Sequence, residues 1–258
     1  MTTTPRPVPL AHDLTGSGPL LVLLHGITED RRSFDPLTDD LARDHTVLRV
    51  DLRGHGRSPE ADTYDLASMA GDVAALVEQV GDGRVPLVVG HSMGGTVATA
   101  YAAAFPTRGV VDVDQSLDLA GLQAQVRELE PLLRSPEHHL AIGAVFEALR
   151  GPLPADEVTR IEALRAPKQP VVLGVWAPLL DLTTDELDVL VRQVAAGVQV
   201  PYLSLHGTDP GPDYPAWLRE RIPTATVEVW DDHGHYPHLV DAPRFLDRLR
   251  AFEAELAG

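Results

Sequence analysis

The chain contains no cysteine and a single lysine, Lys168. Without thiols there is no disulfide, thiolate nucleophile, iron–sulfur cluster or thiolate-bound zinc. Lys168 follows Pro167 rather than a glycine, so the G-K-[ST] ending of a phosphate-binding loop is missing and Walker-type ATP chemistry goes with it. Basic residues are scarce altogether: 21 Lys+Arg face 38 Asp+Glu, a formal charge of −17. Nucleic acids and anionic membrane surfaces are bound through cations set against phosphate, so neither is an expected partner. Long apolar runs are lacking too. Val171–Leu180 is free of charge for ten residues but includes Pro178, well short of the roughly 20 residues that span a bilayer. It reads as a buried or lid segment. No apolar stretch of signal-peptide length precedes Leu20, and a cytoplasmic location is expected.

What is present is an ordinary globular composition, 258 residues with 44% hydrophobic and 23% charged. A chain of this length buries roughly 70–75% of its unfolded surface, enough for one large core. Leu20–Leu24, Thr46–Val50 and Val85–Val89 are short continuous apolar runs, the pattern of strands covered on both faces of a parallel sheet. Leu66, Met69, Ala70, Val73, Leu76, Val77 and Val80 recur at helical spacing between the last two. Further strands are expected at Val110–Val113, Val200–Leu205 and Thr226–Trp230, and a last helix at Pro243–Leu256. Such alternation argues for an α/β fold: a mostly parallel central sheet of seven or eight strands flanked by helices. From Gln115 to Val198 the pattern turns helical, with stretches at His138–Leu149 and Ala155–Leu164 broken by prolines. The expected division is a core of 1–114 and 199–258 carrying a helical insertion of 115–198. No internal repeat is evident.

Val85-Pro-Leu-Val-Val-Gly90-His91-Ser92-Met93-Gly94-Gly95 carries the most chemistry, because a strand runs directly into G-x-S-x-G and good helix material follows. A strand that turns sharply into a helix crowds the positions on either side of the turn, and glycine relieves this. Ser92 then projects from the carboxyl edge of the sheet. The Met93 N–H, first in its helix, is free to face a developing oxyanion. An incidental serine in a glycine-rich turn is the plain alternative.

A serine hydroxyl needs a base, and the base needs an orienting acid. His235, in the loop after the final strand, is the expected base; His233 and His238 beside it read as loop or surface histidines. Asp209, following the Val200–Leu205 strand, is the expected acid. Asp114, at the end of the Val110–Val113 strand, is its rival, with a structural cap as its alternative role. Gly26, after the Leu20–Leu24 strand, allows a close backbone approach that makes the Ile27 N–H the second oxyanion donor, while His25 is expected to pin that loop. His233, His235 and His238 also permit a zinc reading, but without a carboxylate frame beyond Asp231 and Asp232. No metal or cofactor is expected. Phe146, Trp176 and Leu179 either line an acyl pocket or form cap core.

Taken in order, Leu24-His25-Gly26, Asp51-Leu-Arg-Gly54-His-Gly56-Arg-Ser58, Gly90-His-Ser92-Met-Gly94-Gly95, His206-Gly-Thr-Asp209 and Gly234-His235-Tyr-Pro-His238 resemble the α/β-hydrolase superfamily, specifically its small lidded serine esterases. The resemblance spans most of the chain. It implies a triad of Ser92, Asp209 and His235, a cap over the site, and a small-molecule ester-type substrate cleaved through an acyl-enzyme. It also implies a turn below the site at Asp51–Ser58, where Gly54 and Gly56 serve backbone geometry. Two departures stand out. The N-terminus has room for about one strand, Val8–Leu14, where the family often has two, and some relatives carry the acid where Asp114 stands here. A lactonase, a C–C hydrolase or a cofactor-free perhydrolase or haloperoxidase would use the same triad. A hydrolase-like binding protein is a further alternative. Nothing in the sequence separates a monomer from a homodimer.

Overall fold

Leu20–Leu24 is apolar at every position because both of its faces are buried. Leu20, Val22 and Leu24 point into one apolar cluster while Leu21 and Leu23 point into another, as a two-residue period dictates. The computed structural model of this chain describes residues 7–256. Its seven strands are β1 (His12–Gly16), β2 (Leu20–Leu24), β3 (Thr46–Val50), β4 (Leu87–His91), β5 (Gly109–Val113), β6 (Tyr202–His206) and β7 (Ala225–Val229). They form one sheet in the order β1-β3-β2-β4-β5-β6-β7. Only β1 runs antiparallel to its neighbour, β3.

Helices α2 (Leu66–Val80) and α3 (Met93–Ala104) cover one face. The other face is closed by α1 (Asp35–Leu41) and α12 (Ala242–Glu255), through Leu37, Leu41, Phe245, Leu249 and Phe252. Truncating a fully buried leucine such as Leu23 to alanine would cost about 2–5 kcal/mol. Between β5 and β6 the chain inserts six helices: α4 (Ala120–Leu133), α5 (His138–Leu149), α6 (Ala155–Leu164), α7 (Gln169–Val175), α8 (Ala177–Asp181) and α9 (Thr184–Ala196). Two short helices complete the set, α10 (Tyr214–Arg221) after β6 and α11 (Pro237–Val240) after β7.

Strand boundaries shift from the sequence expectation wherever a proline intervenes, because proline has no N–H for the ladder. The first strand starts at His12 rather than Val8, past Pro9; β4 starts at Leu87, past Pro86; β6 starts at Tyr202, past Pro201. Among the described residues the sheet has seven strands. The Asp51–Ser58 turn is fixed by charge. Arg53 is buried against Asp72 of α2 through Nε–Oδ2 and Nη2–Oδ1 contacts of 2.6 and 2.7 Å. Gly56 is forced by crowding, since a Cβ there, at φ +50, would sit 2.3 Å from the Asp51 carboxylate.

Candidate active site

Consecutive strands β2 and β3 lie on one side of the sheet and β4 onward on the other, so the strand order reverses between β2 and β4. A crevice opens at the carboxyl ends where such a reversal occurs. Ser92 follows β4 and the His25–Ile27 loop follows β2, which places both at that crevice.

Ser92 sits at φ 53, ψ −126, a backbone conformation that side chains rarely tolerate. Its neighbours show why small residues are required. A Cβ on Gly90 would lie 2.0 Å from the Gly94 carbonyl oxygen, and one on Gly94 would lie 2.1 Å from that of Leu24. Gly26 approaches the same elbow, where a Cβ on it would lie 3.3 Å from the Ser92 Cβ. His25 holds this loop: its Nδ1 donates to Gly26 O at 2.8 Å and its Nε2 accepts from Leu52 N at 3.0 Å. Burial pushes the His25 ring down to about 4, with Arg31 adding to the effect against the Gly26 hydrogen bond and Asp30, so it stays neutral in this role.

His235 and Asp114 are brought together; His235 and Asp209 are not. The His235 Nδ1 lies 2.7 Å from Asp114 Oδ2, and the Gly207 N–H donates to Asp114 Oδ1 at 2.7 Å. Asp209, the acid expected from sequence, is exposed and accepts only the local Gly211 N–H, at 2.8 Å. The reason is positional. Asp114 directly follows β5, whereas Asp209 lies three residues beyond the end of β6, past Gly207, where the loop has turned outward. Burial opposes ionisation of Asp114, but the His235 hydrogen bond and charge, with the Gly207 N–H, hold its carboxyl below the ordinary range. An ionised carboxylate only accepts, so Nδ1 of His235 carries the proton and Nε2 is left as the basic nitrogen.

The loop carrying His235 crosses the end of β6 in close contact. A Cβ on Gly207 would lie 2.0 Å from Gly234 O, and one on Gly151 would lie 2.6 Å from Gly234 Cα. Further bonds fix the crossing: Gly234 N–H to Gly207 O, 2.9 Å; His235 N–H to Leu149 O, 2.9 Å; His91 Nε2 to His235 O, 2.7 Å. His91 thereby joins the end of β4 to the histidine loop. His238, expected at the surface, is instead fully buried among Phe34, His91, Tyr236 and Phe245, and neither ring nitrogen has a partner. His233 stays on the loop, its Nδ1 3.0 Å from Asp231 O. The three histidines therefore do not converge as ligands.

Sequence reading missed a second buried polar group beside the site. The Tyr236 hydroxyl donates to Glu29 Oε1 at 2.7 Å and accepts from Arg165 Nη2 at 2.8 Å, and the Arg165 guanidinium lies 3.5 Å over the Phe146 ring. Arg165 belongs to the inserted helices, Glu29 to the loop after β2, and Tyr236 follows His235. No local pattern links positions so far apart. Burial raises the Glu29 carboxyl, against the Arg165 charge and the Tyr236 hydrogen bond.

Ser92, Met93, Ile27, Asp114 and His235 line one cavity of about 340 Å³. No hydrogen bond joins Ser92 to His235 among the described residues. Phe146, Trp176 and Leu179 both line the cavity and belong to the main apolar cluster, which joins the two roles left open by the sequence.

The overall fold recurs in known proteins. The family described as "Alpha/beta hydrolase family" matches residues 21–248. The chain belongs to the alpha/beta hydrolase family. It is 34% identical to sn-1-specific diacylglycerol lipase ABHD11 of Danio rerio, over 96% of this chain and 84% of that protein. It is 35% identical to 2-(acetamidomethylene)succinate hydrolase of Mesorhizobium japonicum, over 57% of this chain and 54% of that protein, so this match spans about half of that relative. Among solved structures, esterase RhEst1 from Rhodococcus sp. ECU1013 superposes with a TM-score of 0.68 at 28% identity, covering 97% of this chain and 98% of that one. Family members with these similarities are named as hydrolases, and no helix among the described residues is long and apolar enough to cross a membrane.

Proposed function

We propose that this family member is a serine hydrolase that cleaves a small ester through an acyl-enzyme, with Ser92, His235 and Asp114 as its triad and the inserted helices as its cap. One observation carries the reading: the Asp114–His235 pair opens onto the same cavity as a serine held at a strained strand-to-helix turn. The lipase and esterase names of similar proteins support it.

In this mechanism Ser92 Oγ attacks the ester carbonyl carbon while His235 Nε2 takes its proton, and Asp114 holds the ring and stabilises the imidazolium. The Met93 and Ile27 N–H groups receive the carbonyl oxygen as it becomes anionic. Collapse breaks the bond to the leaving alcohol, which takes the proton from His235. Water, deprotonated by the same nitrogen, then releases the acid and restores Ser92. A fluorophosphonate probe should label the protein at Ser92, and Ser92→Ala should lose both labelling and hydrolysis of p-nitrophenyl butyrate. Labelling elsewhere, or full turnover by the folded variant, would remove the mechanism.

A further inference from the structure

Among the described residues no lysine or arginine lines the cavity, and the one titratable base on its wall is His235. The core supplies Ile27, Leu66, Thr96 and Thr99 beside the triad; the inserted helices supply almost only apolar side chains, from α4, α5, α7, α8 and α9. The polar groups on the wall are uncharged hydroxyls and amides, apart from Asp118, exposed at the segment before α4, and the Asp114–His235 pair. Two arginines pack close behind this wall, yet neither lines it. Arg127 donates to the carbonyls of Leu179 and Leu182, and Arg165 to the Tyr236 hydroxyl.

This distribution decides what the cavity accepts. A carboxylate moved into it would lose its water and meet no lysine or arginine; the one imidazole is already paired with Asp114, and Asp118 carries the carboxylate's own sign. A hydrocarbon chain would lose nothing and gain from burial. Size follows from comparison: a cavity of about 150 Å³ lined by apolar groups holds benzene, so about 340 Å³ holds roughly twice as many carbons, shared between the acyl chain and the ester head. We propose, building on the acyl-enzyme reading above, that the site selects an uncharged ester with an acyl chain of about six to eight carbons and rejects acyl groups that end in a carboxylate.

The test compares p-nitrophenyl hexanoate, the mono-p-nitrophenyl ester of adipic acid, and the same adipate with its far end methylated, alongside p-nitrophenyl acetate. The expected order of kcat/KM places hexanoate at least about 10-fold above acetate, as for added apolar carbons buried in a hydrophobic pocket. The methylated adipate should lie close to hexanoate and the free acid at least about 100-fold below it, as for a group left unpaired in a dry site. The gap must persist in 1 M NaCl, where the screening length is about 3 Å, because the discrimination arises inside the cavity rather than from the net charge. A free acid turned over as fast as its methyl ester, a gap that closes in salt, or a peak at acetate overturns the proposal while Ser92-dependent turnover still stands. Absence of Ser92 labelling together with absence of any Ser92-dependent turnover overturns the acyl-enzyme reading, and the proposal with it.

Discussion

The Nδ1 of His235 is 2.7 Å from the Oδ2 of Asp114, an aspartate one strand nearer Ser92 than the exposed Asp209. This pairing sets the tautomer of the histidine and makes two aspartates experimentally distinguishable.

Asp114→Asn should reduce kcat by about 10³–10⁴, as for loss of the orienting acid in other triads, while Asp209→Asn stays within about threefold of the parent. Steady-state kinetics on one ester, with a thermal melt to confirm folding of each variant, checks this. The reverse order would restore Asp209 as the acid.

Gly207→Ala places a Cβ 2.0 Å from the Gly234 carbonyl oxygen, so the histidine loop must move. Activity should fall at least about 10-fold through displacement of His235, since catalytic groups tolerate little misplacement. Gly211→Ala, where a Cβ meets nothing within 4 Å, is the comparison, although its φ of +105 costs stability locally; its kcat should change far less.

His238 is buried with both ring nitrogens unpartnered, and burial, with His235 and Arg160 nearby, lowers it from 6.5 to about 3. The unfolded chain therefore binds a proton first as pH falls. The stability this histidine contributes is complete above 6.5 and drains away as pH drops from 6.5 towards about 3. His238→Phe, packed between Phe34 and Phe245, should gain about 1 kcal/mol or more at neutral pH by removing unsatisfied groups. Its melting temperature should also decline less steeply with acid than the parent's. Parallel pH profiles would contradict the assignment.

Glu29 is the opposite case, an acid raised above 4.5 by burial despite Arg165 and Tyr236. Its ionisation in the folded state is disfavoured, so it costs stability increasingly as pH rises above 4.5. The melting temperature of Glu29→Gln, measured relative to the parent, should therefore climb as pH rises above 4.5. A difference independent of pH would show that the group is not titrating as placed.

Much of this site was legible because its parts are local. The elbow at Ser92 can be read from Gly90 and Gly94, since the glycines answer a steric demand made within a few residues. His25 as a loop pin follows equally from its position beside Gly26. His238 was not legible: its burial among Phe34, Phe245 and His91 depends on α11 tucking against the far side of the sheet. The Glu29–Tyr236–Arg165 group was hidden for the same reason, as its members come from three separate loops.

The order of residues by itself determined the alternation of strands and helices, the two-sided burial of runs such as Leu20–Leu24, and the serine at the end of β4, because each is a property of side chains within one or two turns of backbone. Which aspartate holds His235, and that no lysine or arginine among the described residues lines the cavity, were decided only by folding. Both depend on residues from distant elements meeting at the carboxyl edge of the sheet, where the contact of Gly207 with Gly234 sets the path of the histidine loop.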